Sequence, residues 1–122
     1  MTTYVLPANA VHESAALCDY LVDRLDGGDT VHAVSTDSAE STPEARRDGQ
    51  DAQNAVYARL GAIATVEQHT ESVDTETDPL QRVAERAGAD EIIVGYASEK
   101  ASETEQLLAQ LARPVVVVPV SE

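Results

Sequence analysis

Apolar residues along the chain fall into five short runs separated by stretches with helical spacing. The runs are residues 4–8 (YVLPA), 30–34 (TVHAV), 64–70 (ATVEQHT), 91–97 (EIIVGYA) and 114–120 (PVVVVPV). Short apolar runs bounded by turn residues predict strands. The first, fourth and fifth are apolar on both faces, as buried parallel strands are. The third carries Glu67, Gln68, His69 and Thr70 and predicts an edge strand, where one face and one flank meet water.

Between the runs lie four helical patterns. In residues 11–25, Ala15, Cys18, Val22 and Leu25 fall on one stripe, with Gly27-Gly28 as the stop. A second helix opens at Thr42-Pro43 and runs to Leu60, with Ala52, Val56 and Leu60 as a thin apolar face. Threonine as N-cap followed by proline at the first helical position is a strong start signal. A third opens in the same way at Asp78-Pro79, places Leu80, Val83, Ala84 and Ala87 at helical spacing, and ends at Gly88. The fourth aligns Thr104, Leu107, Leu108 and Leu111, and Ser102-x-x-Glu105 predicts a capping box at its start. Residues 35–41 and 71–77 are predicted loops.

Strand and helix alternating four times predicts an α/β fold: a three-layer Rossmann-like sandwich with a five-strand parallel sheet and right-handed crossovers. With 122 residues, the chain is expected to form one domain over 1–122. The core must be built from Ala, Val, Leu and Ile, because Phe and Trp are absent.

Charge changes the picture. Twenty-two acidic residues face eight basic ones, for a net charge of −14, and Lys100 is the sole lysine. So much like charge opposes compaction in dilute buffer. At 1 M salt the Debye length falls to about 3 Å and most of the repulsion is screened. This composition suits a salt-rich cytosol, an acidic protein of haloarchaeal type. It offers no basic stripe, since the adjacent Arg46-Arg47 is diluted by Glu44, Asp48 and Asp51, so no nucleic-acid partner is expected. No apolar stretch approaches membrane-spanning length and the first residues lack a basic segment. The expected location is the cytoplasm, with no membrane partner.

Candidate chemistry is sparse. Cys18 is alone and reads as a small buried hydrophobe. Among the histidines, His12 begins the first helix, His32 lies inside the second strand and His69 on the edge strand. No two share ligand spacing along the chain and no cysteine or carboxylate completes a set, so no metal site is expected. There is no G-x-S-x-G elbow and no G-x-G-x-x-G after the first strand. A phosphoreceiver domain shares the layout, but this chain has Asn9 where that site needs acid and no lysine after Lys100. No catalytic residue is readable, and an enzyme is not expected.

Taken together, Val5-Leu6-Pro7, Asp78-Pro79, the block VAERAGADEIIVG (83–95) and RPVVVVPV (113–120) make the chain resemble the universal stress protein family over essentially its whole length. The resemblance implies strand order 3-2-1-4-5, a homodimer through the last strand, and, in ATP-binding members, a nucleotide at the carboxyl ends of strands one and four. Those members have an Asp after strand one and a glycine-rich phosphate loop after strand four. Here the first position is Asn9, and after Gly95 no further glycine follows. The expected pocket is vestigial: Ala8, Asn9, Val34, Gly95, Tyr96, Ser98 and Ser102. Glu99, Glu103 and Glu105 stand where triphosphate oxygens would lie. Ser98, Ser102 and the amides of the fourth helix, assisted by Lys100, offer at most room for one phosphate-sized anion; the simpler reading makes both serines helix caps. Bound ATP or AMP is therefore disfavoured as a cofactor.

Two readings follow: a non-catalytic stress-response protein acting as a homodimeric interaction module, with a protein partner of unspecified identity, or a protein that binds nucleotide or small phosphate in a modified pocket. The dimer expectation rests on Val115, Val116, Val117, Val118 and Val120, an uncharged β-branched run at a sheet edge that invites pairing. Antiparallel pairing with a second copy across a two-fold axis closes the assembly. The alternative cover for that edge is helix four or the two terminal residues.

The charge balance yields a direct test. The thermal unfolding midpoint, followed by circular dichroism, is expected to rise from dilute buffer to molar KCl. A flat or falling midpoint contradicts salt adaptation.

Overall fold

The computed structural model describes residues 1–73 and 78–120. Strands β1 (Thr3–Pro7), β2 (Thr30–Asp37), β3 (Thr65–Ser72), β4 (Glu91–Tyr96) and β5 (Val115–Pro119) alternate with helices α1 (Val11–Val22), α2 (Pro43–Leu60), α3 (Pro79–Ala87) and α4 (Ala101–Gln110). The sheet is parallel throughout, in the order β3-β2-β1-β4-β5. The expected α/β architecture, strand order and polar edge strand are all present.

Two apolar layers sandwich the sheet. On one face Leu6, Val31, Ala33 and Ile93 meet Leu17, Cys18 and Leu21 of α1 and Ala52, Val56 and Leu60 of α2. On the other, Val5, Val34, Ile92 and Val94 meet Leu80, Val83 and Ala84 of α3, with Leu107, Leu108 and Leu111 partly buried beside them. Neighbouring strand residues alternate between the layers, the period-two rule for a sheet covered on both sides. Each fully buried Leu, Ile or Val contributes roughly 1.5–3 kcal/mol. The layers are mainly aliphatic, but Tyr4 is buried among them with Tyr20 packed alongside, so the core is not built from Ala, Val, Leu and Ile alone.

Local signals set most element ends. Thr42 Oγ1 accepts the Ala45 N–H at 3.0 Å, and Asp78 Oδ1 accepts the Leu80 N–H at 2.8 Å. Gly88 closes α3 at φ 66°, a left-handed conformation that costs other L-residues roughly 1–2 kcal/mol. At the start of the sheet, Asp29 accepts the N–H groups of Thr2 and Asp26 at 2.8 and 2.9 Å. These backbone donors hold its carboxyl below the usual range.

Expectations about four elements need correction. The buried face of α1 is Ser14, Leu17, Cys18 and Leu21, one row away from the stripe through Ala15 and Val22; Val22 is exposed. The bulkier leucines take the core side. That helix also stops at Val22, well before Gly27-Gly28; a turn in which the Leu25 N–H reaches Leu21 O at 3.1 Å buries Leu25. Strand β2 continues through Ser35, Thr36 and Asp37, because β3 runs beside it as far as Asp37↔Ser72. Of the predicted loop 71–77, Glu71 and Ser72 belong to β3, while 74–77 lie outside the described residues, as do Ser121 and Glu122.

The fourth correction concerns the capping box. A 3-10 turn, Ser98–Lys100, runs directly into α4, whose N-cap is Lys100 without a side-chain cap. Ser102 therefore sits inside the first turn of the helix and caps nothing. Ser98 opens the 3-10 turn, whose N-cap is Ala97. Among the described residues, no helix is long and apolar enough to cross a membrane.

Candidate functional site: an acidic cleft at the carboxyl ends of the strands

Strands β1 and β4 pair over only two register positions, Tyr4↔Glu91 and Val5↔Ile92. Beyond them a cleft of about 660 Å³ opens at the carboxyl end of the sheet. This is the point where strand order reverses, the usual ligand position in open α/β sheets. Its floor and apolar wall include Pro7, Val34, Leu80, Val94 and Leu107.

Of the seven residues expected from sequence, three line the cleft: Asn9, Val34 and Gly95. Asn9 Oδ1 accepts both the backbone N–H and the hydroxyl of Thr36, at 2.9 and 3.2 Å. It thus ties the loop after β1 to the end of β2. Ala8 is fully buried behind the cleft; its N–H donates to Val34 O at 2.8 Å, and its carbonyl accepts the Ser35 hydroxyl at 2.6 Å. Tyr96, Ser98 and Ser102 are exposed and do not line it. His12 does line it.

The residue that sequence reasoning missed is Glu13. A methyl group built on Gly95 would lie 2.8 Å from Glu13 Oε2 and 2.8 Å from Val120 Cγ2. The missing side chain at Gly95 is what lets the Glu13 carboxylate and Val120 occupy the mouth of β4. Burial pushes the Glu13 carboxyl above its ordinary value, and nearby Lys100 opposes that shift. The only sequence cue was its place in the first turn of α1, where an acid meets the positive end of the helix dipole.

Carboxylates dominate the rim. Glu13, Asp78, Glu99 and Glu103 all line the cleft, with Lys100 as the lysine among them. Asp78 is engaged in capping α3. Glu105, expected alongside Glu99 and Glu103, does not line it. A triphosphate here would meet like charge at contact distance, where salt screens far less than over a Debye length.

A second cluster overturns the expectation that no carboxylate completes a set with two histidines. His32 Nδ1 lies 2.8 Å from His69 Nε2 and 3.3 Å from Glu67 Oε2. The three ligand-capable atoms all fall within 4.8 Å of one another. Spacing along the chain hides the group because it is assembled across two strands.

Because its raised pKa means the folded state disfavours a charged Glu13, ionisation costs stability as pH rises through that pKa. The cost is absent below the ordinary carboxylate range. Glu13→Gln should therefore raise the melting temperature by a few degrees at pH 7–8. The gain should shrink as melts are repeated toward pH 5. A lower melting temperature for the variant at every pH contradicts this account of the carboxylate.

No family model matches the sequence, and no curated protein matches it. Solved structures do match its fold. The universal stress protein from Archaeoglobus fulgidus in complex with dAMP superposes with a TM-score of 0.76 at 14% identity, over 97% of this chain and 98% of that one. A universal stress protein family member from Arabidopsis thaliana with AMP bound gives 0.74 at 13%, over 99% and 93%. One from Burkholderia pseudomallei gives 0.72 at 19%, over 98% and 96%. The chain has the fold of the universal stress proteins over essentially its described length.

Proposed function

We propose that this protein is a non-catalytic stress-response protein of the universal stress protein family, an acidic member acting as a homodimeric module without tight ATP binding. The observation that carries the reading is the Glu13 carboxylate seated against Gly95, with Glu99 and Glu103 beside it. In the ATP-binding pattern that end of the pocket is glycine-rich and offers backbone amides to phosphate. Here it offers carboxylates. No catalytic step is part of the reading.

A specific observation favours a second reading. The cleft is large, partly apolar and at the same end of the sheet that ligands use in this class of fold. The structures from Archaeoglobus fulgidus and Arabidopsis thaliana carry dAMP and AMP. A nucleotide with a single phosphate presents less charge to the acidic rim than a triphosphate does.

One assay separates the two. A ligand at about one hundred times its dissociation constant stabilises the fold by roughly 2.7 kcal/mol, a clear melting shift. In molar KCl, millimolar ATP should leave the midpoint unchanged. A shift with AMP alone selects the second reading, and a shift with ATP overturns the first.

The homodimer is proposed through β5. That strand is at the sheet edge, Val117 is 42% exposed, and Val118 is buried against the core. Val115 and Val116 are partly buried in the two apolar layers, while Val120 turns toward the cleft beside Gly95. Adding a second copy along the free flank of β5 extends the sheet and covers Val117. In molar KCl at micromolar concentration the protein should sediment as a dimer and Val117→Lys as a monomer. A wild-type monomer under those conditions refutes the interface.

A further inference from the structure

His32, Glu67 and His69 lie on one face of the sheet by register. His32 pairs with Glu67 across β2 and β3, and His69 pairs with Val34, two positions further along both strands. Period two puts all of these on the same side. It is the side covered by α3, because Val34 packs with Leu80 and Val83, and Arg86 and Ala87 border the same shallow pocket. The cluster shares no residue with the acidic cleft.

Hydrogen bonding alone serves this group poorly. Nδ1 of His32 faces two partners, His69 Nε2 at 2.8 Å and Glu67 Oε2 at 3.3 Å. One ring N–H can be directed well at only one of them. A cation between the three atoms would instead take a lone pair from each.

We propose that His32 Nδ1, His69 Nε2 and the Glu67 carboxylate form a binding site for a divalent late transition metal, with zinc as its natural probe. Two imidazoles and one carboxylate are a donor set that suits zinc and leave a fourth position for water. Metal–ligand bonds of about 2.0–2.1 Å imply tetrahedral edges of about 3.3–3.4 Å. The His32–Glu67 separation of 3.3 Å already matches. The His32–His69 separation of 2.8 Å has to open by about half an ångström. Glu67 is exposed and can swing, whereas His32 is buried and fixes the origin.

The electrostatic setting permits it. Arg86 stands at the pocket, and its guanidinium is 3.1 Å from Glu71, which offsets part of its charge. Glu71 also holds Arg82 at 3.7 Å. Burial keeps the His32 imidazole below its ordinary pKa, with His69 and Arg86 acting in the same direction and Glu67 against them.

The test uses untagged full-length protein in a molar, chloride-free potassium salt near neutral pH. Equilibrium dialysis against micromolar Zn²⁺ should give one equivalent per chain, and Co²⁺ should give the visible bands of a tetrahedral N/O site. Even the loss of an outer-shell partner typically weakens metal binding roughly 10–100-fold. His69→Ala should therefore weaken it at least tenfold and abolish the Co²⁺ bands, and Glu67→Gln should weaken it by about tenfold. Both positions are on the edge strand and leave the buried His32 in place. His12→Ala should retain the full equivalent. Failure of the wild type to take up Zn²⁺ overturns the site, as does uptake undiminished in both edge-strand variants or lost in His12→Ala.

Discussion

The contact on which this molecule turns is the narrow seam between β1 and β4. β1 pairs with β2 over five positions, but with β4 over only two, Tyr4↔Glu91 and Val5↔Ile92. The chain builds outward from β1 in one direction with α1 and α2 on one face. It then crosses back over the sheet through α3 and builds outward in the other direction. Reversal of direction means no crossover helix covers the carboxyl end of the seam, and a cleft is left there by topology. What occupies it is then decided by the ends of β1 and β4 and the segments that follow them, and both are distinctive here: after β1 comes Asn9 on the way to Glu13, while β4 brings Gly95 and is followed by a 3-10 turn.

A buried polar knot holds the neighbouring strand ends in place. Gln53 of α2 places Nε2, with its two N–H donors, 2.9–3.0 Å from three acceptors, Ala33 O, Ser35 Oγ and His69 O. Ser35 in turn donates to Ala8 O. One helix side chain thereby connects β2 and β3, and its serine partner reaches the end of β1. Breaking these bonds would leave further buried polar groups unpaired, as Gln53 Oε1 already is among the described residues, so the knot favours this register where apolar packing alone would tolerate slippage. It also explains why β2 extends past Val34: Ser35 is polar, but its hydroxyl is satisfied inside the core.

Much of the fold was legible because this chain marks its helices with chemistry that acts locally. Thr42-Pro43, Asp78-Pro79 and Gly88 each impose a backbone state through their own bonds, and each marks the boundary expected of it. Where the local signal was ambiguous, the reading slipped. Ser102-x-x-Glu105 has the letters of a capping box, yet the chain is already helical from Ser98, through the turn at Ser98–Lys100 that runs into α4. The phase of α1 slipped because Ala15 and Val22 satisfy helical spacing as well as Leu17 and Leu21 do. Only the volume available under the helix separates the two stripes.

The candidate sites were less legible for a physical reason. Glu13 is one of twenty-two acidic residues, and nothing in its spacing tells that it folds back over Gly95. His32, Glu67 and His69 are separated by 35 and two positions, and only strand register converts those separations into neighbours. Both sites arise from cross-element contacts at opposite places in one sheet: a carboxylate filling the gap left by a glycine, and a histidine pair completed by the adjacent strand. In an acidic chain the first contact works against anionic ligands, while the second concentrates donors for a cation. On the readings proposed above, the same excess of negative charge sets the two sites toward different chemistry, the strand-end cleft away from a triphosphate and the β2–β3 edge toward a metal.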